Sequence, residues 1–306
     1  MRIFGKALAV LSIGLFGAML APLASADALN SADNFAVLSG STVTNVDATI
    51  LSGNMGVSPG SACTGFVAGT GCTLGAGIVN GTVDLGNAIA LQAQKDLTTA
   101  YTTESLLPST GAITGGNLSG LTLGPGVYTV GAATSNLAGT LTLTDHGVAG
   151  SIFVFQMSST LITSPNSMIN VAGLSPSDQV FWVVGSTATL GDNTAFDGNI
   201  LALTSINFDP GATDLCGRAL ARNGEVTFAG QDATSGIENQ VDSTDCTGNL
   251  AGSEGLNGIT AAGTGGGGTS VPESGTWELL LAGALSILCL SALRRHKQNS
   301  GSLDLC

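Results

Sequence analysis

Two stretches of this chain, Gly40-Ser41-Thr42-Val43-Thr44 and Gly185-Ser186-Thr187-Ala188-Thr189, are nearly the same five residues. With a period of two, Val43 and Ala188 point inward while the threonines point outward. Thr160-Leu161-Ile162, Ser205-Ile206-Asn207 and Glu225-Val226-Thr227 follow the same plan. From Leu161 the steps to Ala188, Ile206 and Val226 are 27, 18 and 20 residues, each long enough for a coil of three short strands. Irregular coils of that length, stacked on one another, make a solenoid.

A second kind of strand is apolar throughout: Ile152 to Phe155, Val180 to Val184, Ile200 to Leu203 and Ala219 to Ala221. Such a strand must be covered on both faces, by the core on one and by another element on the other. The one segment with helical periodicity, Leu85 to about Glu104, is the obvious cover. Leu85, Ile89, Ala93, Leu97 and Tyr101 recur every four residues, Asp84 stands where an N-cap belongs, and Pro108 follows the end. Gln92, Gln94, Lys95 and Thr99 then form a solvated face.

The surface of this domain must be nearly uncharged. Charged residues are 9% of the chain and glycines number 45, against about a quarter charged in an ordinary protein. Lys95, Arg218 and Arg222 are the only basic residues from 27 to 270, so nucleic acid is excluded as a partner, because affinity for phosphate needs clustered cations. Arg218 and Arg222 are read as exposed or paired with Asp214. Of the six cysteines, Cys63, Cys72, Cys216 and Cys246 fall in the domain, and the economical pairing joins Cys63 to Cys72 and Cys216 to Cys246. No C-x-x-C spacing is present and His146 is the domain's only histidine, so neither a metal nor another cofactor is expected. A solenoid lyase or hydrolase would need paired carboxylates or a basic group at the scissile bond. Asp145-His146 is the only Asp-His pair and precedes Gly147, which makes it a turn. Asp192, Asp197 and Asp209 are likewise read as turn residues. The domain therefore reads as a binding protein and not as an enzyme.

Several motifs in order make the reading specific: Asn34-Phe35-Ala36-Val37-Leu38, Gly53-Asn54-Met55-Gly56-Val57-Ser58-Pro59-Gly60, Leu121-Thr122-Leu123-Gly124-Pro125-Gly126-Val127-Tyr128 and Gly217-Arg218-Ala219-Leu220-Ala221. Across about residues 33 to 230 the chain resembles the microbial secreted ice-binding proteins. The resemblance implies an all-β fold, a right-handed, three-faced, discontinuous β-solenoid with one long α-helix packed alongside. In that fold the first coil comes from the N-terminal segment and packs among the C-terminal coils. The implied partner is an ice crystal surface or ordered water. By the family's Thr-Ala/Gly-x-Thr/Asn strands, the matching positions are Thr42, Thr44, Thr187, Thr189, Ser205, Asn207 and Thr227, with Thr160 beside the apolar Ile162. Glu225 departs from the pattern, since a small residue belongs there. A cell-surface or matrix adhesin using the same flat face is the alternative.

The two ends give an address. Arg2 and Lys6, the apolar run from Ala7 to Leu20 and Ala24-Ser25-Ala26 form a signal peptide over 1–26. The β-solenoid domain is expected over 27–246, a Gly/Ser/Thr-rich linker over 247–270, a sorting and transmembrane segment over 271–297 and a short tail over 298–306. Pro272 and Glu273, a single apolar helix from Leu279 to Leu293, and Arg294 and Arg295 resemble a PEP-CTERM sorting signal. That resemblance implies transient membrane insertion, a sorting peptidase as partner, and an exported protein held at the envelope or released. Ser274 stands where a second proline is usual, and 298–306 extend past the basic cluster.

Overall fold

Leu161 pairs with Ala188, Ala188 with Ile206 and Ile206 with Val226, all in parallel register. The steps read along the chain are thus single turns of a solenoid. The structure, a computed structural model, describes residues 28–244 apart from 132, 172, 173 and 176. The signal peptide, the linker and the sorting segment with Pro272, Glu273, Arg294 and Arg295 lie outside the described residues, as does Cys246. Among the described residues no helix is long and apolar enough to cross a membrane.

Each coil contributes to three faces. The first, here the threonine face, is an eight-stranded parallel sheet in the order Thr134–Leu137, Thr160–Thr163, Ala188–Leu190, Ile206–Phe208, Val226–Phe228, Thr42–Asn45, Ala62–Phe66, Thr73–Leu74. The second runs through Gly111–Thr114, Gly126–Gly131, Ile152–Met157, Gln179–Val184 and the C-terminal parts of Ala195–Ala202 and Thr213–Ala221, then Phe35–Ser39, Asn54–Val57 and Val83–Leu85. The third starts at Thr122–Leu123, Thr140–Leu143 and Met168–Asn170 and ends at Asn239–Asp242, Thr49–Ser52 and Ile78–Asn80.

The stack is discontinuous in sequence. Val37 pairs with Ala219, Val43 with Val226 and Thr49 with Asn239, so the N-terminal segment continues the stack past the last C-terminal coil. The helix, Ala88–Ser105, then leads the chain from Val83–Leu85 at that end to Gly111–Thr114 at the other.

Inside, one aromatic ladder follows the second face. Tyr128 stacks on Phe155 at 5.5 Å between ring centroids and Phe155 on Trp182 at 4.2 Å. At the bend within Ala195–Ala202 a side chain cannot be accommodated beside this ladder. Gly198 has φ +112 and a Cβ there would fall 2.8 Å from Trp182 Nε1. On the outer side of the same strands Leu38, Val154, Phe181, Val183, Leu201 and Leu220 are buried against Ala93, Leu97 and Ala100 of the helix. The helix is therefore the cover that the doubly apolar strands require.

Its details differ from the expectation. Asn87, and not Asp84, caps the N-terminus: Asn87 Oδ1 accepts from the amides of Ile89 and Ala90, both at 3.0 Å. Asp84 accepts instead from Asn87 Nδ2 at 2.6 Å and steadies the cap. The buried positions are Ala90, Ala93, Gln94, Leu97, Ala100 and Glu104, whereas Ile89 is 61% exposed. A strict four-residue repeat drifts by about 40° per step around a helix of 3.6 residues per turn. The contact stripe alternates three and four and so brings in Gln94, which the four-residue repeat assigns to the solvated face. Its amide donates to the carbonyl of Ala221 at 3.0 Å, across the helix–sheet boundary.

Two further expectations are corrected. Arg218 is not exposed: it is 3% exposed and bridges to Asp33 at 2.9 Å, while its charge also acts on the nearby buried Asp214. Asp197 is not in a turn but within Ala195–Ala202 and buried, since the strand bends through the solenoid corner there. The expected Cys63–Cys72 disulfide is formed. Cys216 is buried and disulfide-bonded.

Burial pushes the Asp197 carboxyl up to about 7 and that of buried Glu104 to about 7 as well. Asp214 is raised well above its ordinary value, by burial first and by the nearby Asp197 second. A carboxyl with a raised folded-state pKa binds its proton more tightly in the native state, so its contribution is fully present below the unfolded value near 4 and is lost as pH rises toward 7. Thermal stability should therefore fall between about pH 4 and 7 and level off above. Asp197→Asn should flatten that slope and raise stability at pH 8 by on the order of 2 kcal/mol. Melting curves taken from pH 4 to 8 would show this, and a wild-type profile that rises through that window is the contrary result.

Candidate binding face

Along the threonine face, inward residues anchor each coil and outward residues form two columns. Val43, Leu161, Ala188, Ile206 and Val226 are all fully buried, as the alternation demanded. The strand pairing then sets the outward neighbours. One column runs Asn136, Ile162, Thr189, Asn207, Thr227, Thr44, Thr64 and Thr73. The other, one position before the inward residues, runs Thr134, Thr160, Thr187, Ser205, Glu225, Thr42 and Ala62. The ladder reaches this second column: the amides of Leu161, Ala188 and Ile206 donate to the carbonyls of Thr187, Ser205 and Glu225 at 3.1, 3.0 and 2.9 Å.

All eight residues named from the sequence, Thr42, Thr44, Thr160, Thr187, Thr189, Ser205, Asn207 and Thr227, thus share one sheet face and are partly exposed. Neighbouring coils are about 4.8 Å apart in such a sheet, so the hydroxyls and methyls repeat at that spacing. β-Branching holds each side chain in few rotamers. Thr42 Oγ1 donates to the Ala62 carbonyl at 3.0 Å. The side chains of Thr44, Thr187, Thr189 and Thr227 make no hydrogen bond to protein among the described residues and face outward. Each offers one hydroxyl to water and one methyl that disfavours disordered water beside it.

Four positions escaped the sequence reading. Thr64 and Thr73 lie in the first column, but Cys63 holds the inward place before Thr64 and hides the apolar alternation. Thr134 and Asn136 flank Ser135, which is buried though polar, so the inward place between them carries no hydrophobe to reveal the period. The departures are also in place. Glu225 is exposed between Ser205 and Thr42, and Ile162, 41% exposed, interrupts the first column.

The Asp145-His146 pair is a turn. His146 has φ +55 and Gly147 φ +79, and Asp145 Oδ1 accepts from the Gly147 amide at 2.7 Å. Among the described residues no three His, Cys, Asp or Glu side chains gather as a metal site.

The Ice-binding-like family matches residues 37–234 of this sequence, a span that holds most of the two columns and the helix. The chain belongs to that family. It is 46% identical over 208 residues to an ice-binding protein of Nostoc sp. (strain HG1), covering 68% of this chain and 74% of that one. An ice-binding protein of Typhula ishikariensis, K3-B1, is 31% identical over 213 residues, covering 65% of this chain and 84% of its own. Among solved structures, an ice-binding protein from an Antarctic biological consortium superposes with a TM-score of 0.60 at 41% identity, covering 70% of this chain and 89% of that one. One from the Antarctic ascomycete Antarctomyces psychrotrophicus gives 0.61 at 31% identity, covering 71% and 98%. The discontinuous solenoid with its lateral helix is accordingly a family architecture.

Proposed function

We propose that this protein adsorbs to ice through the threonine face and so restrains crystal growth and recrystallisation. The observation that carries the reading is the register: two outward columns of mostly Thr, Ser and Asn, repeated on successive coils and interrupted by a single charge, Glu225. A stiff, nearly uncharged grid can hold water in an ordered array and adhere through many weak contacts, whereas a charge binds a hydration shell of its own geometry. The names of the relatives, all ice-binding proteins, support the same reading.

The test is a recrystallisation assay on residues 27–250 at micromolar concentration. Ice grains should stay fine, and grains that coarsen at the rate of buffer would sink the proposal. Glu225→Thr restores the outward column between Ser205 and Thr42 and should raise activity severalfold in the same assay. Equal activity in the two proteins would show that Glu225 lies outside the contact.

The signal peptide and the sorting segment read from the ends make this an exported protein, bound for the envelope or released after the C-terminal segment is cut. Mass spectrometry of the mature C-terminus from cells tests this directly, and a mature protein that still carries the apolar run from Leu279 to Leu293 argues for retention.

A further inference from the structure

Two of the three basic residues between 27 and 270, Lys95 and Arg222, line the same groove. It has a volume of about 330 Å³ and lies where the helix meets the turns after Asn54–Val57 and Thr213–Ala221. A chain with net charge −13 that gathers its few cations in one recess has made a local positive site in a negative surround. The guanidinium is held in place: its carbon lies 4.7 Å from the centroid of the Tyr101 ring. Its Nε is buried and has no hydrogen-bond partner among the described residues. Because that Nε has no access to solvent, a ligand in the groove meets the two terminal nitrogens of the fixed guanidinium, which offer a planar carboxylate two parallel hydrogen bonds. Lys95, exposed one face away on the helix, adds a second charge.

The rest of the lining is not that of a bare anion site. Asn223 offers an amide, and Thr98 Oγ1, which donates to the Gln94 carbonyl at 2.9 Å, keeps its acceptor lone pairs. Pro59 and the 44% exposed Leu91 supply an apolar patch. The volume is at the lower end for small-molecule sites and suits a ligand of roughly a dozen heavy atoms.

We infer that this groove binds one sugar-acid unit, a hexuronate as found in acidic polysaccharide, with its carboxylate on Arg222 and Lys95 and its ring and hydroxyls on the remaining lining. The site is separate from the threonine face and does not depend on ice binding.

Isothermal titration of the full chain in detergent micelles with sodium galacturonate, galactose and sodium acetate tests this. Galacturonate should bind saturably at one site, with galactose and acetate each at least tenfold weaker. Arg222→Gln should weaken galacturonate tenfold or more. Lys95→Gln, on an exposed helix position that bears no core contact, should weaken it severalfold with an unchanged melting temperature. Acetate binding as tightly as galacturonate overturns the sugar assignment, and galactose binding as tightly overturns the role of the cations. Unaltered affinity in both variants places the ligand elsewhere on the molecule and overturns the site.

Discussion

Thr187→Tyr should abolish restraint of ice growth while leaving the fold intact. Thr187 lies in the outward column between Thr160 and Ser205, beside Thr189 in the neighbouring column, near the middle of the eight-stranded face. A tyrosine there stands above the plane of its neighbours and holds the whole grid off a flat crystal surface. Because adsorption is a sum of weak contacts that must form together, one protruding side chain removes most of them. The backbone of residue 187 still accepts from the Leu161 amide, and the side chain has no protein partner to lose among the described residues. Stability should therefore change by less than about 0.5 kcal/mol, which moves the melting temperature by no more than about 2 °C. The two readouts are the recrystallisation endpoint, expected to rise by an order of magnitude or more, and the thermal midpoint. Full activity with an unchanged midpoint would locate the ice contact on another face. Lost activity with a midpoint lowered by many degrees would mean that the substitution damaged the solenoid, and Thr189→Tyr on the same strand then repeats the test.

The threonine face was legible because its strands obey a strong local rule. An outward β-branched residue on each side of an inward hydrophobe announces its own period, and the spacing of Leu161, Ala188, Ile206 and Val226 announces the coil. Where one half of that rule lapses, so does the signal. Ser135 and Cys63 take inward places without looking like core residues, and Thr134, Asn136 and Thr64 went unseen with them. The helix was legible as an element but not in its orientation, because its contact stripe is set by the sheet it covers. Gln94 is buried there because a carbonyl of Ala221 awaits its amide, a partner 127 residues away that no local pattern contains. Arg218 and Asp197 were misplaced for the same reason. A charged residue in a nearly uncharged chain looks like a surface residue unless its partner is known, and the partner of Arg218 is 185 residues distant.

That distant partner gives the second large effect. Arg218→Ala should destabilise the domain by about 3–5 kcal/mol, the usual cost of leaving one member of a buried ion pair behind. Arg218 Nη2 lies 2.9 Å from Asp33 Oδ1, Nε donates to the Asp33 carbonyl at 2.7 Å, and Nη1 donates to Asn199 Oδ1 at 3.1 Å. Asp33, 5% exposed, sits in the short 3₁₀ turn Asn30–Asn34 just before the first strand. The bridge thus fastens the N-terminal segment onto the last long C-terminal strand, at the seam where the solenoid is discontinuous in sequence. Closing that seam costs loop entropy that a continuous solenoid would never meet, and the side chains there must offset it. The effect should show as a melting temperature lower by roughly 6–20 °C at neutral pH. It should also appear as early loss of hydrogen-exchange protection in residues 35–57, while the central coils around Gln179–Val184 keep theirs. Arg218→Met combined with Asp33→Asn removes both charges and should recover part of the loss, because the Asp33 carboxylate is then not left buried without its cation. A double variant as unstable as Arg218→Ala would show that the hydrogen bonds of the guanidinium to the Asp33 carbonyl and Asn199, and not relief of an unpaired carboxylate, close the seam.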